Sequence, residues 1–592
     1  MDKELLIAKI KELPGLMNDE KADLLGLLRG HKKYGLVWED KPEEVELNLK
    51  EKQPILTEVK EKSIIADNSD APNHILIEGD NLEALTTLSY THEGKVDVIY
   101  IDPPYNTGNK DFIYNDSYVD SEDSYRHSKW LSFMNKRLKI AKHLLSEKGV
   151  IFISIDENEE ANLKLLCDEI FLERNYIGSI TWESTTQPIN AGSAKFQLQQ
   201  KTEFILCYAK SKACKEPFIL KVDESSLPSY PHQGILGQCR FEIIEKSDAG
   251  QYQRDTMKFP ILGQFPREGK RWQIGEDTAN RLIENNRIEI INGIVKKAVY
   301  PEDELDKIRY FPFWSHFTAE KVGSALKAKD ELNSTMGGPV GFDTVKPVGL
   351  LKEILGHFHK SITILDFFAG SGTTLHATMQ LNAEDGGNRQ CILVTNNENG
   401  ICENVTYERN KRVINGYTTP KGEEVAGLKD NTLRYYRTEL LPRERSPRNM
   451  RALMSAATDL LCIKEDLYTE QSMFGKYKTH PKVMRYFADG EKHMLVLYRE
   501  EFAAEIAEEI KTMDFGGGKL KIYLFSPGRY AFNDEFFEVQ DKVQLVALPA
   551  AIYDAYQKVL PKRKDKLLAE EQTEESAPMQ TELFTDEEGG TL

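Results

Sequence analysis

The chain has 592 residues, 40 % apolar and 29 % charged, enough for about three or four domains of ordinary size. No run approaches the ~18 apolar residues of a membrane span, and Met1-Asp2-Lys3-Glu4 opens a charged segment without a signal-peptide core, so a cytoplasmic protein with no membrane partner is expected. Seven scattered cysteines with no CxxC pair speak against a zinc site or a disulfide framework, no metal is expected, and a net charge of −18 speaks against a uniformly basic surface.

Residues 1–70 read as an N-terminal helical region, with Leu5, Leu6, Ile10 and Leu13, then Leu24, Leu25, Leu27 and Leu28, near helical spacing and a break at Pro14-Gly15. Residues 71–210 alternate strands and helices. His74 to Ile77 is a short strand ending at Glu78-Gly79-Asp80, and a helix follows from Asn81. Val96 to Ile101 is a β-branched apolar run of the kind buried in parallel sheets, leading directly into Asp102-Pro103-Pro104-Tyr105. A basic helical stretch spans Ser124 to Ser146, and Gly149 to Ile155, Ile180 to Trp182 and Phe204 to Tyr208 are the remaining strands of this half. The α/β rhythm is lost over 211–340, where Arg240, Arg254, Arg267, Arg271 and Arg309 are interleaved with Phe265, Trp272, Tyr310 and Trp314. Such a mixture suits groove contacts and base stacking, with Arg240, Arg254, Arg267, Arg271 and Trp272 as the candidate nucleic-acid contacts. It suits an ordinary domain with a charged rim equally well.

Residues 341–417 restore the rhythm. Lys346-Pro347 starts a helical run, Val348 to Leu355, and Ile362 to Leu365 is a strand ending at Asp366. Phe367 to Gly372, FFAGSG, is a glycine turn into a helix, and Cys391 to Thr395 is the next strand. Residues 418–560 read as a separate smaller α/β unit. Its basic opening (Arg434, Arg437, Arg443, Arg445, Arg448, Arg451) is either a solvated linker or a phosphate contact. The tail, 561–592, carries eight acids and no Lys or Arg after Lys566 and reads as disordered.

Two stretches carry chemistry. In DPPY the prolines remove two backbone donors, so the turn presents carbonyl oxygens beside the Asp102 carboxylate and the Tyr105 ring. Acceptors next to a flat ring form a receptor for a planar group bearing an NH2, such as a nucleobase taken out of its duplex; the plainer reading is a tight turn after a strand. In FFAGSGTT the glycines let a ligand approach the backbone closely. The lack of a Lys after Gly372 excludes a P-loop, and the spacing is not GxGxxG, which disfavours a dinucleotide. An acid at the end of the following strand can bind ribose hydroxyls, making Glu398 the first candidate and Asn396 the second.

DPPY with Phe368, Gly370 and Gly372 of FxGxG resembles the amino-methylating DNA methyltransferases, with the catalytic motif ahead of the cofactor motif as in their circularly permuted β group. Further stretches, Lys33 to Glu43, Leu76 to Leu85, Lys346 to Leu355 and Phe367 to Asn399, resemble the modification subunits of type III restriction-modification systems. The resemblance covers roughly residues 30 to 440. It implies a doubly wound, permuted α/β methyltransferase sheet, with a target-recognition domain inserted at 211–340 and a small C-terminal α/β domain. It implies S-adenosylmethionine held by Asp80, Lys346, Pro347, Asp366, Phe368, Ala369, Gly370 and Gly372, with Asp102, Pro103, Pro104 and Tyr105 as the catalytic set. A helix N-cap is an equal reading of Asp80. The implied activity is methylation of adenine N6, with N4 of cytosine, or an adenine enzyme without a restriction partner, as alternatives. The implied partners are double-stranded DNA, a second copy of the chain and a helicase-nuclease restriction subunit, with 418–560 placed to dock either the restriction subunit or the second copy.

Overall fold

The structure is a computed structural model that describes residues 36–561 apart from 109–111, 115–116, 121, 189–194, 197, 212–213, 223–228, 250–253, 308–309, 343 and 529. The helices expected over Leu5 to Leu28, Arg309 and the acidic tail lie outside the described residues. The chain forms two compact units, Phe218–Trp314 and the remainder.

The larger unit is built on a ten-stranded sheet. In chain order its strands are β1 (Lys52–Glu58), β2 (Asn73–Glu78), β3 (Val96–Ile101), β4 (Leu145–Ile155), β5 (Tyr176–Glu183), β6 (Thr202–Ala209), β7 (His316–Phe317), β8 (Thr363–Asp366), β9 (Gln390–Thr395) and β10 (Thr432–Pro442). In space they run β1-β10-β2-β9-β8-β3-β4-β6-β5-β7. From β10 to β4 every neighbour is parallel, whereas β6 runs antiparallel to both β4 and β5. The two motif strands, far apart in sequence, are adjacent: Ile364 of β8 pairs with Val98 of β3 and Leu365 with Ile99. Both loops that follow therefore emerge at the carboxyl edge of the sheet, where doubly wound folds place ligands.

β3 is buried at every position but Asp97. That carboxylate is used inside the fold, accepting the Thr363 N–H at 3.0 Å and the Ser146 hydroxyl at 3.1 Å, and so ties β3 to β8 and β4. Helices α1 (Glu44–Glu51), α2 (Asn81–Thr91), α3 (Arg126–Leu144), α4 (Val348–Leu355), α5 (Thr373–Asp385) and α6 (Glu408–Asn415) accompany the sheet. β1 was expected to be helical; its buried Gln53-Pro54-Ile55-Leu56 instead pairs antiparallel with β10 at the sheet's edge, where a proline is tolerated.

Three expected boundaries move. The second unit is 218–314 rather than 211–340, because β7 pairs with β5 and returns the chain to the main sheet. The sheet continues past residue 417 to β10, so Arg434 and Arg437 lie in a strand rather than a linker; they pair with Glu58 at 3.1 Å and Glu78 at 2.8 Å. The C-terminal segment then builds a five-stranded sheet, parallel across 492–497, 520–525 and 543–548. Its last helix returns to the main body, where the Tyr556 hydroxyl donates to the Pro54 carbonyl at 2.8 Å. The second unit holds a four-stranded antiparallel sheet and the helix Glu276–Glu284 around Phe259, Ile261, Trp272 and Val295. Among the described residues no helix is long and apolar enough to cross a membrane.

Candidate active site

The DPPY turn is fixed from several sides. The Pro104 carbonyl accepts the Trp130 indole N–H at 2.7 Å. Asn106, next in the chain, is buried with φ of 60°, a left-handed conformation that Asn tolerates. Its amide donates to Glu159 at 2.5 Å. The Tyr105 hydroxyl donates to Glu203 at 2.8 Å. Burial first, then the charges of Asp102 and Glu203, raise the Tyr105 pKa well above that of an ordinary phenol, so the hydroxyl remains a donor.

Asp102 is asymmetrically satisfied. Its Oδ2 accepts the Lys346 ammonium at 2.8 Å, while its Oδ1 is buried without a hydrogen-bond partner. An orphaned carboxylate oxygen is costly unless a ligand completes it. Asp102 lines a cavity of about 760 Å³ together with Pro103, Tyr105, Trp182, Glu203 and the glycine loop.

The glycine loop has bonds of its own and is clamped from outside, where the Asn81 amide donates to the Phe367 carbonyl at 3.1 Å, the Thr406 hydroxyl to the Gly370 carbonyl at 2.5 Å and Arg409 to the Thr373 hydroxyl at 2.7 Å. Asp366 accepts the Phe368 N–H at 3.0 Å and the Thr374 hydroxyl at 2.5 Å. Burial pushes its carboxyl pKa up to about 7, against those two bonds, and the Asp102 charge adds to the rise. Gly372 N–H closes the turn onto the Ala369 carbonyl at 2.7 Å. Gly370 and Gly372 have φ of 47° and 72°, and a Cβ on Gly372 would overlap the Asn410 side chain.

A second cavity, about 500 Å³, opens on the other side of Phe368. Phe112, Phe133 and Phe368 give it aromatic walls, and Asp80 and Glu398 give it carboxylates. The two cavities share Pro104, Phe368, Thr395 and Asn396, so they adjoin. Arg137, fully buried, braces the smaller one: it donates to Asn81 Oδ1 at 2.5 Å and to Glu43 at 2.8 Å and stacks 3.6 Å over the Phe133 ring.

The expected site residues thus divide. Asp102, Pro103, Pro104, Tyr105, Phe368, Ala369, Gly370 and Asn396 line the larger cavity; Asp80 and Glu398 line the smaller. Asp80 also caps α2, accepting the Leu82 N–H at 2.7 Å, so its two readings are compatible. Lys346 lines the larger cavity beside the glycine loop, and its ammonium donates to Asp102. Others take different places. Pro347 lines neither cavity and stands at the N-cap of α4. Asp366 lines the larger cavity, but its oxygens are committed to the loop; Gly372 packs against Asn410 rather than lining either space.

The candidate nucleic-acid contacts fare less well. Trp272 cannot stack on a base: it is fully buried and donates to the Phe259 carbonyl at 2.6 Å, because in 270–272 the alternation turns it into the unit's core. Arg240 is held by Glu304 at 2.6 and 3.0 Å, Arg267 by Glu245 at 2.7 Å, and Arg271 lies 3.5 Å from Asp248. Arg254 is exposed, as are Phe265, Tyr310, Phe311 and Trp314. Sequence reasoning missed Glu203, Trp130, Trp182 and Arg137. The one available signal was an acid immediately before an apolar strand, at Glu203.

Comparison with known proteins agrees with this geometry. Residues 96–415 match the family model N6_N4_Mtase, described as DNA methylase. The chain is 34 % identical over 367 residues to the type III restriction-modification enzyme StyLTI Mod subunit of Salmonella typhimurium, covering 57 % of this chain and 54 % of that one. It is 30 % identical over 417 residues to the EcoP15I Mod subunit of Escherichia coli, covering 58 % and 61 %. It is 33 % identical over 378 residues to the type II methyltransferase M.KpnI of Klebsiella pneumoniae, covering 59 % of this chain and 87 % of the relative. The chain therefore spans little more than half the length of the type III relatives it matches, and most of the type II one. The matched segment holds both motif strands, the lining of the larger cavity and the second compact unit, and on that basis the chain belongs to the N6_N4_Mtase family of DNA methylases.

Proposed function

We propose that this chain transfers a methyl group from S-adenosylmethionine to N6 of an adenine flipped out of double-stranded DNA, as the modification and specificity subunit of a type III restriction-modification system in the cytoplasm. The observation that carries the reading is Asp102, which lines a cavity that adjoins a second one at Phe368 and whose Oδ1 is a buried acceptor without a partner.

The residues present fit the methyl donor. Phe112, Phe133 and Phe368 suit the faces of a purine, Asp80 its amine, and Glu398 and Asn396 ribose hydroxyls. When bound there, S-adenosylmethionine supplies a methyl on a positively charged sulfur, which is already a good leaving group. The chain does the rest by positioning, a contribution of potentially several kcal/mol. The flipped base enters the larger cavity and stacks on Tyr105; Asp102 Oδ1 and the Pro103 carbonyl accept the hydrogens of its amine. Those bonds turn the nitrogen lone pair toward the methyl and strengthen as the nitrogen becomes positive.

Residues 218–314 are the target-recognition domain in this reading, using Arg254 and the exposed Phe265, Tyr310, Phe311 and Trp314 rather than Trp272. The names of the Mod subunits above, each a subunit of a restriction-modification enzyme, support a restriction subunit as partner, and a second copy of the chain belongs to the same proposal; cleavage and helicase chemistry then belong to the restriction subunit. Asp102→Ala tests the reading: tritium-methyl incorporation into DNA falls by at least about 10³-fold, while calorimetric titration with S-adenosylmethionine still shows binding. Full incorporation rejects the role of Asp102. Analysis of the methylated base separates N6-methyladenine from the N4-methylcytosine product of the alternative.

A further inference from the structure

Asp102 does not face the cavity alone. The Lys346 ammonium, 9 % exposed, lies 2.8 Å from Asp102 Oδ2 and 3.3 Å from Glu203 Oε2. The same Glu203 oxygen takes the Tyr105 hydroxyl. The ammonium also sits 5.0 Å from the centre of the Tyr105 ring and 5.7 Å from that of Trp182. Glu203 is placed there by strand direction. β6 is antiparallel to β4, so its first residues stand at the carboxyl edge of the sheet, with Phe204 opposite Ile155 and Glu203 opposite Trp182. Nothing in the mechanism above uses Glu203.

Counting charge shows what Glu203 adds. Lys346 and Asp102 by themselves form a neutral pair. With Glu203 the buried set carries two carboxylates and one ammonium, a net charge of −1. The geometry points to Glu203 as a positioning residue that acts through Lys346 and Tyr105, holding Asp102 with one oxygen free and keeping the base slot anionic while the amine becomes cationic.

This rests on the methyl-transfer reading. In that step the amine lone pair forms the new N–C bond as the methyl's C–S bond breaks with its electrons on sulfur. The nitrogen gains a positive charge and then loses one of its two protons to Asp102 Oδ1, from which it passes to water. A negative environment that exists before the reaction favours the cationic transition state over the neutral ground state, which is where catalysis is gained. Lys346 cannot serve this end unless a second carboxylate offsets it. Burial alone would drive its ammonium toward neutrality, yet Asp102 and Glu203 together outweigh burial and raise its pKa.

Glu203→Gln keeps the shape and the acceptor and removes the charge. With tritiated S-adenosylmethionine and unmethylated plasmid DNA, kcat is expected to fall about 10- to 100-fold, with KM for DNA and calorimetric affinity for S-adenosylmethionine within about twofold of wild type. Glu203→Asp keeps the charge and shortens the reach; it is expected to retain more kcat than the Gln variant, the reverse of what a shape-only role gives. A third readout needs neither cofactor nor DNA: the pH dependence of Lys346 labelling by acetic anhydride, followed by mass spectrometry, moves to lower pH in Glu203→Gln. A Gln variant within twofold of wild-type kcat, an Asp variant worse than Gln, or an unmoved Lys346 profile each overturns the proposal. Should Glu203→Gln fail to fold, Glu203→Asp decides by itself: a loss of kcat beyond about 100-fold overturns it. If wild-type protein methylates no DNA, it is the methyl-transfer reading that has failed, and the Lys346 profile still reports on the Glu203 link.

Discussion

The two loops follow neighbouring parallel strands, yet they differ in how much of their support is internal. The glycine loop, 366–374, has an internal frame, with Asp366 accepting from Phe368 and Thr374 and Gly372 turning back on Ala369, and is clamped onto Asn81, Thr406, Arg409 and Asn410 from outside. The DPPY turn, 102–105, is held by groups from elsewhere in the chain: Trp130 on Pro104, Glu203 on Tyr105 and Lys346 on Asp102. A loop that encloses a ligand with its own backbone must have its conformation written locally, in residues that accept left-handed φ. A turn that presents a charged acceptor needs its charge balanced, and no residue within the four-residue turn can supply a cation.

The largest effect expected from breaking this contrast is local. Gly372→Ala introduces a side chain at φ of 72° and overlaps Asn410; strain and overpacking together should cost about 3–5 kcal/mol, read as a fall in denaturation midpoint. Gly370→Ala, whose Cβ would stand 3.4 Å from Phe342, should cost less. Equal losses for the two would mean that φ, and not contact with Asn410, dominates.

A smaller effect comes from Asp366. Its carboxyl titrates near 4 in the unfolded chain and is pushed up to about 7 in the fold. Between those values the native state holds a proton that the unfolded state has lost, so this group's contribution to stability falls as pH rises from about 4 through 7. Asp366→Asn cannot ionise. The wild type should lose on the order of 2–3 kcal/mol relative to the variant between pH 5 and pH 8, measured by chemical denaturation at each pH. A constant difference across that range would show that Asp366 stays ionised throughout.

The same contrast explains what could be read in the sequence. The strands at 96–101 and 391–395 and the glycine loop were legible because apolar runs, an acid and glycines within a dozen residues dictate them. Glu203 was not, because an acid ahead of an apolar strand looks the same whether the strand runs parallel or antiparallel; only the reversal of β6 carries it to the site. Lys346 was legible as a helix start beside Pro347, but the destination of a long side chain depends on which strand its helix follows. Trp272 was misread for a related reason. In Lys270-Arg271-Trp272 the period-2 pattern does not say which face is inner, and the partner strand, 245–247, settles it. The basic run at Arg434 looked solvated because its counterions, Glu58 and Glu78, lie far away in the chain.

The smallest predicted effect tests whether distant support of the DPPY turn matters to chemistry rather than to folding. Trp130 is fully buried, and its indole N–H is the donor the structure gives the Pro104 carbonyl. Trp130→Phe retains most of the apolar volume but leaves that carbonyl without its partner, which should cost about 1–2 kcal/mol of stability. If the turn's other supports held it in place, nothing further would follow, and methyl transfer at saturating DNA would remain at the wild-type rate. Because Pro104 stands between Asp102 and Tyr105 at the wall shared by both cavities, releasing its carbonyl lets acceptor and stacking ring shift together. On the proposed function, the rate of methyl transfer should then drop about 10-fold, since near-attack geometry is sensitive to displacements of an ångström, while affinity for S-adenosylmethionine changes less. A variant that melts lower but transfers methyl normally would mean that Asp102 is held by Lys346 and Glu203 alone, and the ion bridge rather than the turn would be what aims the acceptor.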